Sequence, residues 1–219
     1  MPAIHLNLVI FTRLSTNLLN FLAHIHLSGP NLWIQTGNFM ADTVRGKDYL
    51  QHPIEIRKGI LLHRAIDTFT DAHPVFRSST KRLHAKYHHY SGVIVDIFYD
   101  HFLAKNFQDY SAVSLADFTQ HFYTFLQDNT AVLTEKTQQM LPYMVQQDWL
   151  FNYQYTEGIA RILGQMDRRI QRGTQMQNSV DELQEFYPEF EQEFRQFYQE
   201  VQQFSTQKLQ ELCVLYPNV

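Results

Sequence analysis

Residues 53–72 read PIEIRKGILLHRAIDTFTDA, and the way this stretch is read decides the fold. Ile56, Ile60, Leu61 and Ile66 recur at helical rather than alternating spacing, which predicts a helix with one buried face. Pro53 stands in the first turn, where proline is tolerated, and His73-Pro74 closes the segment. Inside this apolar helix, His63 and Asp67 are four residues apart and project from one face, with Asp71 one turn further on. Ionisable groups are seldom buried unless they are paired or bound to a metal, so this row is where chemistry is to be sought.

Outward from that helix the pattern stays helical. Segments are expected at about 17–27, closed by Ser28-Gly29-Pro30, and at 32–44, ending near Gly46. A short helix follows at 75–87, and Ser91-Gly92 leads into a strongly apolar one at 93–105. Ser114 with Asp117 resembles a capping box opening a helix to about residue 127, and further segments are expected at 131–141, 149–155 and 157–171. Leu183, Phe190, Phe197 and Phe204 recur every seven residues, interleaved with Phe186, Phe194 and Val201. This is one apolar stripe on a long helix, with Pro188 as the place for a kink, and it reads as core. The expected fold is all-α, a compact multi-helix bundle forming one domain.

Composition agrees. With 44% apolar and 18% charged residues, the 219-residue chain has material for a sizeable core. Only 8 glycines and 7 prolines argue against a β-sandwich or barrel. A net charge of −4 does not suggest a generic nucleic-acid binder. Cys213 is alone, which excludes an intramolecular disulfide and a cysteine-rich zinc site and fits a reducing cytoplasm. No run approaches the ~18–20 apolar residues of a membrane span. Residues 4–11 are apolar but short and lack the flanks of a signal peptide.

Other ionisable residues share the pattern. Asp96 and Asp100 repeat the four-residue spacing in the 93–105 segment, with His101 next to Asp100; Asp42 lies near the end of the second segment, and His24 and His26 in the first. Metals of intermediate hardness take imidazole and carboxylate together, and helices of a bundle can each supply one or two such groups. His24 and His26 point roughly 200° apart, so one of them is structural. For any one of these residues alone, a hydrogen-bonded or solvated role is the commoner use; Arg64 beside His63 is as readily a surface ion-pair partner. Spacing therefore leaves a metal hydrolase and a non-catalytic helical binding protein both open. Cys213 sits in a predicted helix and no Gly-x-Ser-x-Gly turn occurs, which disfavours a cysteine or serine hydrolase.

Four blocks in order, NFLAHIHL at 20–27, GNFMADTVRG at 37–46, GILLHRAIDTFTD at 59–71 and VDIFYDHFL at 95–103, resemble the acyl carrier protein phosphodiesterase family. This family is a divergent relative of the HD-type metal phosphohydrolases. The likeness extends through Gly164-Gln165-Met166 and covers roughly residues 20–219. It implies an HD-domain-like α-helical fold and a divalent cation, usually Mn2+, with Fe2+ or Mg2+ as alternatives. The implied reaction is hydrolysis of holo-acyl carrier protein to 4′-phosphopantetheine and the apo protein. Asp42 looks like the family's metal-site aspartate, His63 and Asp67 match its HR-x-x-D element, and Asp100-His101 its DH element. Unlike standard HD enzymes, the chain has no adjacent His-Asp pair in that order. Family members begin with Met directly before the Asn-Phe-Leu-Ala-His block, whereas here Leu19 is preceded by further residues. Residues 1–19 are therefore expected to be an over-long start or a dispensable extension outside the domain at 20–219.

On this resemblance His63, Asp67 and Asp100 are expected as ligands, with Asp42 and one of His24 or His101, His24 being preferred, completing or orienting the shell. His101 is assigned to proton transfer, and Arg64 or Arg45 to a phosphoryl oxygen. The carrier protein is strongly acidic, so a basic docking patch is expected at Arg161, Arg168, Arg169 and Arg172, although a plain solvated face explains that cluster equally well. No nucleic acid or membrane is expected as a partner. A nucleotide or other small phosphoester is the alternative substrate, and the spacing does not separate it from the carrier protein.

Overall fold

A computed structural model describes residues 21–170 and 174–217, and among these there are helices and turns and no strand. The helices are α1 (Phe21–His26), α2 (Leu32–Met40), α3 (Ile54–Ala72), α4 (Pro74–Tyr87), α5 (Ser91–Lys105) and α6 (Leu115–Asp128). They continue as α7 (Glu135–Gln146), α8 (Trp149–Asn152), α9 (Thr156–Ile170), α10 (Ser179–Glu185) and α11 (Tyr187–Leu215). The expected all-α, multi-helix architecture is the one observed. The extension at 1–19, the start of the first predicted segment and the end of the 157–171 segment lie outside the described residues. Among the described residues no helix is long and apolar enough to cross a membrane.

Side-chain caps start α2 and α6, the one at Ser114 as expected from the sequence. Asn31 accepts from the backbone N–H of Trp33 (2.9 Å) and Ile34 (3.3 Å) to start α2, and Ser114 accepts from Asp117 N–H (3.1 Å) to start α6. α5 is the core helix: Ile94, Val95, Ile97, Phe98, Phe102 and Leu103 are fully buried, so neighbours cover all of it but its end and the side where Gly92, Val93 and Asp96 line a cavity. α1, α4, α9 and α11 pack on it. Along α11, Phe190, Phe194, Phe197 and Val201 are buried, and Phe204 stacks on Phe69 with ring centroids 4.5 Å apart.

The segment expected at 131–141 is displaced to Glu135–Gln146, because Thr134 accepts from Thr137 N–H to start it after a separate 3-10 turn at Thr130–Val132, and two others also differ from the sequence reading. The C-terminal stripe lies on two helices rather than one kinked helix, because Pro188 takes the first turn of α11, where no backbone N–H is needed, and the chain breaks at Phe186. The 32–44 segment stays α-helical only to Met40; the next turn, Ala41–Thr43, tightens to a 3-10 helix that carries Asp42.

One crossing positions the site. A Cβ on Gly37 of α2 would lie 2.1 Å from the Ile56 carbonyl oxygen, and one on Gly59 of α3 would lie 2.1 Å from the Ile34 carbonyl oxygen. The two glycines let the backbones of α2 and α3 touch. Residues beyond the contact, Asn38 and Asp42 on one strand of chain and His63 and Asp67 on the other, are thereby brought face to face.

Candidate metal centre

α1 supplies His24. The two oxygens of the fully buried Asp100, on α5, accept from the Leu22 N–H (3.0 Å) and Ala23 N–H (2.8 Å), satisfying two of the free amides at the start of α1. His24, thus placed, stacks on His63 with ring centroids 4.2 Å apart and planes at 28°. His24 Nε2 is 3.4 Å from Asp67 Oδ1; His63 Nε2 is 3.2 Å from Asp67 Oδ2 and 3.3 Å from Asp42 Oδ1. His24, His63 and Asp67 offer donor atoms within 4.8 Å of one another, the spacing of a cation site.

On the opposite ring edges sits Asn38, fully buried. Its Oδ1 is 2.8 Å from His24 Nδ1 and 3.0 Å from His63 Nδ1, and its Nδ2 donates to Ser28 Oγ at 2.8 Å. Ser28 Oγ in turn donates to the His24 carbonyl at 2.8 Å, so it is free to accept from Asn38 but not to donate to it. The amide orientation follows: Oδ1 faces the histidines and accepts two N–H bonds. Both imidazoles therefore carry hydrogen on Nδ1 and present Nε2 toward Asp67, the arrangement that metal-binding histidines need. The residues fit a divalent cation with mixed nitrogen and oxygen donors. Asn38→Leu should leave the protein folded yet weaken its affinity for a divalent cation by about 10–100-fold, as loss of such outer partners does; calorimetric titration of the metal-free variant checks this.

Electrostatics agree. Burial disfavours the His63 imidazolium, but hydrogen bonds to Asp42 and Asp67 outweigh it and push its pKa up to about 9. Burial also raises the Asp67 carboxyl, yet hydrogen bonds from His24 and His63 hold it well below the usual carboxylate range. The cluster floors a cavity of about 250 Å³ lined also by Asp71, Asp96 and His89. Asp96 has no hydrogen-bond partner among the described residues, and burial, followed by the charges of Asp67, Asp100, Asp71 and Asp42, raises its pKa well above normal. Four carboxyl groups around one small cavity favour a cation and, without one, the charged members repel a phosphodiester.

Of the residues expected from the sequence, the structure brings His24, Asp42, His63 and Asp67 together and places four others elsewhere. Asp100 is corrected from ligand to cap, since both oxygens are committed to α1 amides. His101 is corrected from proton donor to structural residue: its Nδ1 donates to the Tyr153 carbonyl (2.8 Å) and its Nε2 meets Tyr187 Oη (2.9 Å), away from the cavity. Burial lowers its pKa. Arg64 donates to the carbonyls of Gly46 (2.8 Å) and Val44 (3.0 Å), bracing the loop after Asp42 instead of facing the cavity. Arg45 is exposed on that loop and does not line the cavity. Arg161 and Arg168 are exposed on α9; the Arg169 side chain and Arg172 lie outside the described residues. His26 is the structural member of its pair, donating from Nε2 to the Tyr110 carbonyl (3.2 Å) and accepting from Tyr198 Oη at Nδ1 (2.7 Å). His89 at the cavity wall and Asn38 behind the two rings carry no signal in the spacing; Asp96 shares the spacing of Asp100 and is the member of that pair that lines the cavity.

Comparison with known proteins gives a consistent result. The model of the family described as acyl carrier protein phosphodiesterase matches residues 19–201. A protein of that name from Photorhabdus laumondii is 31% identical over 174 residues, covering 79% of this chain and 88% of its own. Proteins of the same name from Yersinia pestis (30%) and Pectobacterium atrosepticum (31%) each align over 79% of this chain and 90% of their own. No solved structure matches the chain.

Proposed function

Since the chain belongs to the acyl carrier protein phosphodiesterase family, we propose that it removes 4′-phosphopantetheine from holo-acyl carrier protein by cation-dependent hydrolysis. The observation that carries the reading is the convergence of His24 Nε2, His63 Nε2 and the carboxylates of Asp67 and Asp42, with both rings locked by Asn38. We assign these four as the cation's donors, with the unpartnered Asp96 completing an HD-type set. Mixed imidazole and carboxylate donors suit Mn2+ or Fe2+ better than Mg2+, which prefers oxygen alone. When bound, the cation offsets charge on the phosphoryl oxygens and lowers the pKa of a water.

In the reaction, the oxygen of water bonds to phosphorus while the bond from phosphorus to the serine oxygen breaks. The serine leaves with a proton, and the phosphate stays on the pantetheine. We assign proton relay to Asp71 and His89, which line the cavity wall. Arg45 is not on the cavity wall, but it is exposed three residues after Asp42 and without an ion pair among the described residues, and we assign it to a phosphoryl oxygen of the docked substrate. The exposed free thiol of Cys213 suits a cytoplasmic setting. The test is to incubate chelator-treated protein with holo carrier protein, with and without Mn2+. Release of 4′-phosphopantetheine, read by mass, should require the cation; turnover of a nucleotide panel instead would overturn the substrate assignment.

A pH dependence follows for the metal-free protein. His63 holds its proton to about pH 9 when folded but loses it near 6.5 when unfolded. The folded state binds more protons in between, so the contribution of His63 to stability is full below pH 6.5 and lost as pH rises through 9. The melting temperature should therefore fall across this range, and less steeply in His63→Gln. Nδ1 is engaged by Asn38, so the titrating proton is the one on Nε2, and cation binding at pH 7 should release protons.

A further inference from the structure

Between Pro74 and Tyr90 the chain carries Arg77, Lys81, Arg82, Lys86 and three histidines, and no acidic residue. The basic residues divide into two groups. Arg82 is paired with Glu193 (2.8 Å) and Lys86 with Glu182 (2.6 Å), tying α4 to α11 and α10. Arg77, Lys81, His84 and His88 are all exposed, and none is in an ion pair among the described residues. Their spacing of four, three and four residues lines them up along one side of α4 and the turn after it. The buried set Phe76, Ser79, Leu83 and Tyr87 forms a separate row against the core.

Residues next to both ends of this stripe reach the cavity wall. Phe76 and His89, toward either end of the same segment, line it, and Arg77 Nε donates to the carbonyl of Asp71, another lining residue, at 2.8 Å. The chemistry of the substrate makes that position matter. The scissile phosphate is joined directly to a serine side chain, so phosphorus reaches the His24–His63–Asp67 cluster only if the carrier protein's surface comes within about one side-chain length of the rim. Whatever docks there must meet the elements that form the rim, and in a chain of net charge −4 the uncompensated Arg77 and Lys81, continued by the polar His84 and His88, select an acidic face beside an acidic cavity. We propose that Arg77, Lys81, His84 and His88, on and just after a helix that contributes Phe76 to the cavity wall, form the docking surface for the acidic protein that carries the phosphodiester, in place of the arginines of α9, a helix with no described residue in the cavity lining. The proposal rests on the substrate reading above.

Lys81→Glu/His84→Glu, two exposed positions outside the donor set, should raise KM for holo carrier protein about tenfold at low salt with kcat little changed, and added salt should narrow the gap. Hydrolysis of a small diester, bis(p-nitrophenyl) phosphate, should be unaltered. Lys81→Gln should give a smaller rise of the same sign. If wild-type protein releases 4′-phosphopantetheine but the double variant keeps its KM, or if Arg161→Glu/Arg168→Glu raises KM instead, the docking assignment is overturned and the activity stands. If the wild type releases none, both readings fall.

Discussion

Asp67→Ala should reduce kcat/KM for holo carrier protein by about 10³-fold or more, while the protein remains folded. The carboxylate is the one group that meets both Nε2 atoms, at 3.4 and 3.2 Å. Its side chain is 46% exposed to the cavity, so truncation leaves no buried void. What it removes is the negative group that balances His63 and completes the donor set. Loss of the cation forfeits several kcal/mol of transition-state stabilisation, and each 1.36 kcal/mol is about tenfold in rate. Steady-state turnover with saturating Mn2+, beside circular dichroism of the variant, checks the claim; near-wild-type turnover would remove Asp67 from the centre. Asp67→Glu, one methylene longer, should recover little, because the distances to two rings are fixed at once.

The second large effect lies outside the cavity. Gly59→Ala should lower stability by about 3 kcal/mol or more, the upper end for overpacking, which for a chain of this size is roughly a 10 °C fall in melting temperature. The added methyl would sit 2.1 Å from the Ile34 carbonyl and 2.7 Å from the Asn38 nitrogen, both backbone atoms that no rotamer change can clear. α2 must move off α3, and with it Asn38 and Asp42 leave His63. Affinity for the cation should drop together with stability. Gly92→Ala is the matched control: a methyl there meets nothing within 4 Å, and the variant should melt within about 1 kcal/mol of wild type.

The helices were legible because long apolar faces at helical spacing leave few alternatives, and α3 runs between the punctuation its prolines announce. Half of the centre was equally legible: His63 and Asp67 share a helix, so their meeting is local geometry. The remainder depends on which elements cover which turn. Asp96 and Asp100 share one face of α5 by spacing, yet the start of α1 covers the second and leaves the first open to the cavity. Nothing in a linear pattern states that. The angle between His24 and His26 correctly required one of them to be structural, but choosing between them needed the positions of Asn38 and Tyr198. Asn38 carries no charge and lies in an apolar run, so its acceptor role becomes visible only where two ring nitrogens converge on it.

Asp100 and His101 are consecutive and grip in opposite directions. One holds the start of α1; the other reaches the Tyr153 carbonyl after α8 and the Tyr187 hydroxyl at the start of α11. The pair works as an axle pin through the middle of the molecule, fixing the pitch of His24 from behind. Damage to the pin would mimic an active-site lesion in any turnover assay, and only a melting curve would tell the broken axle from the missing tooth.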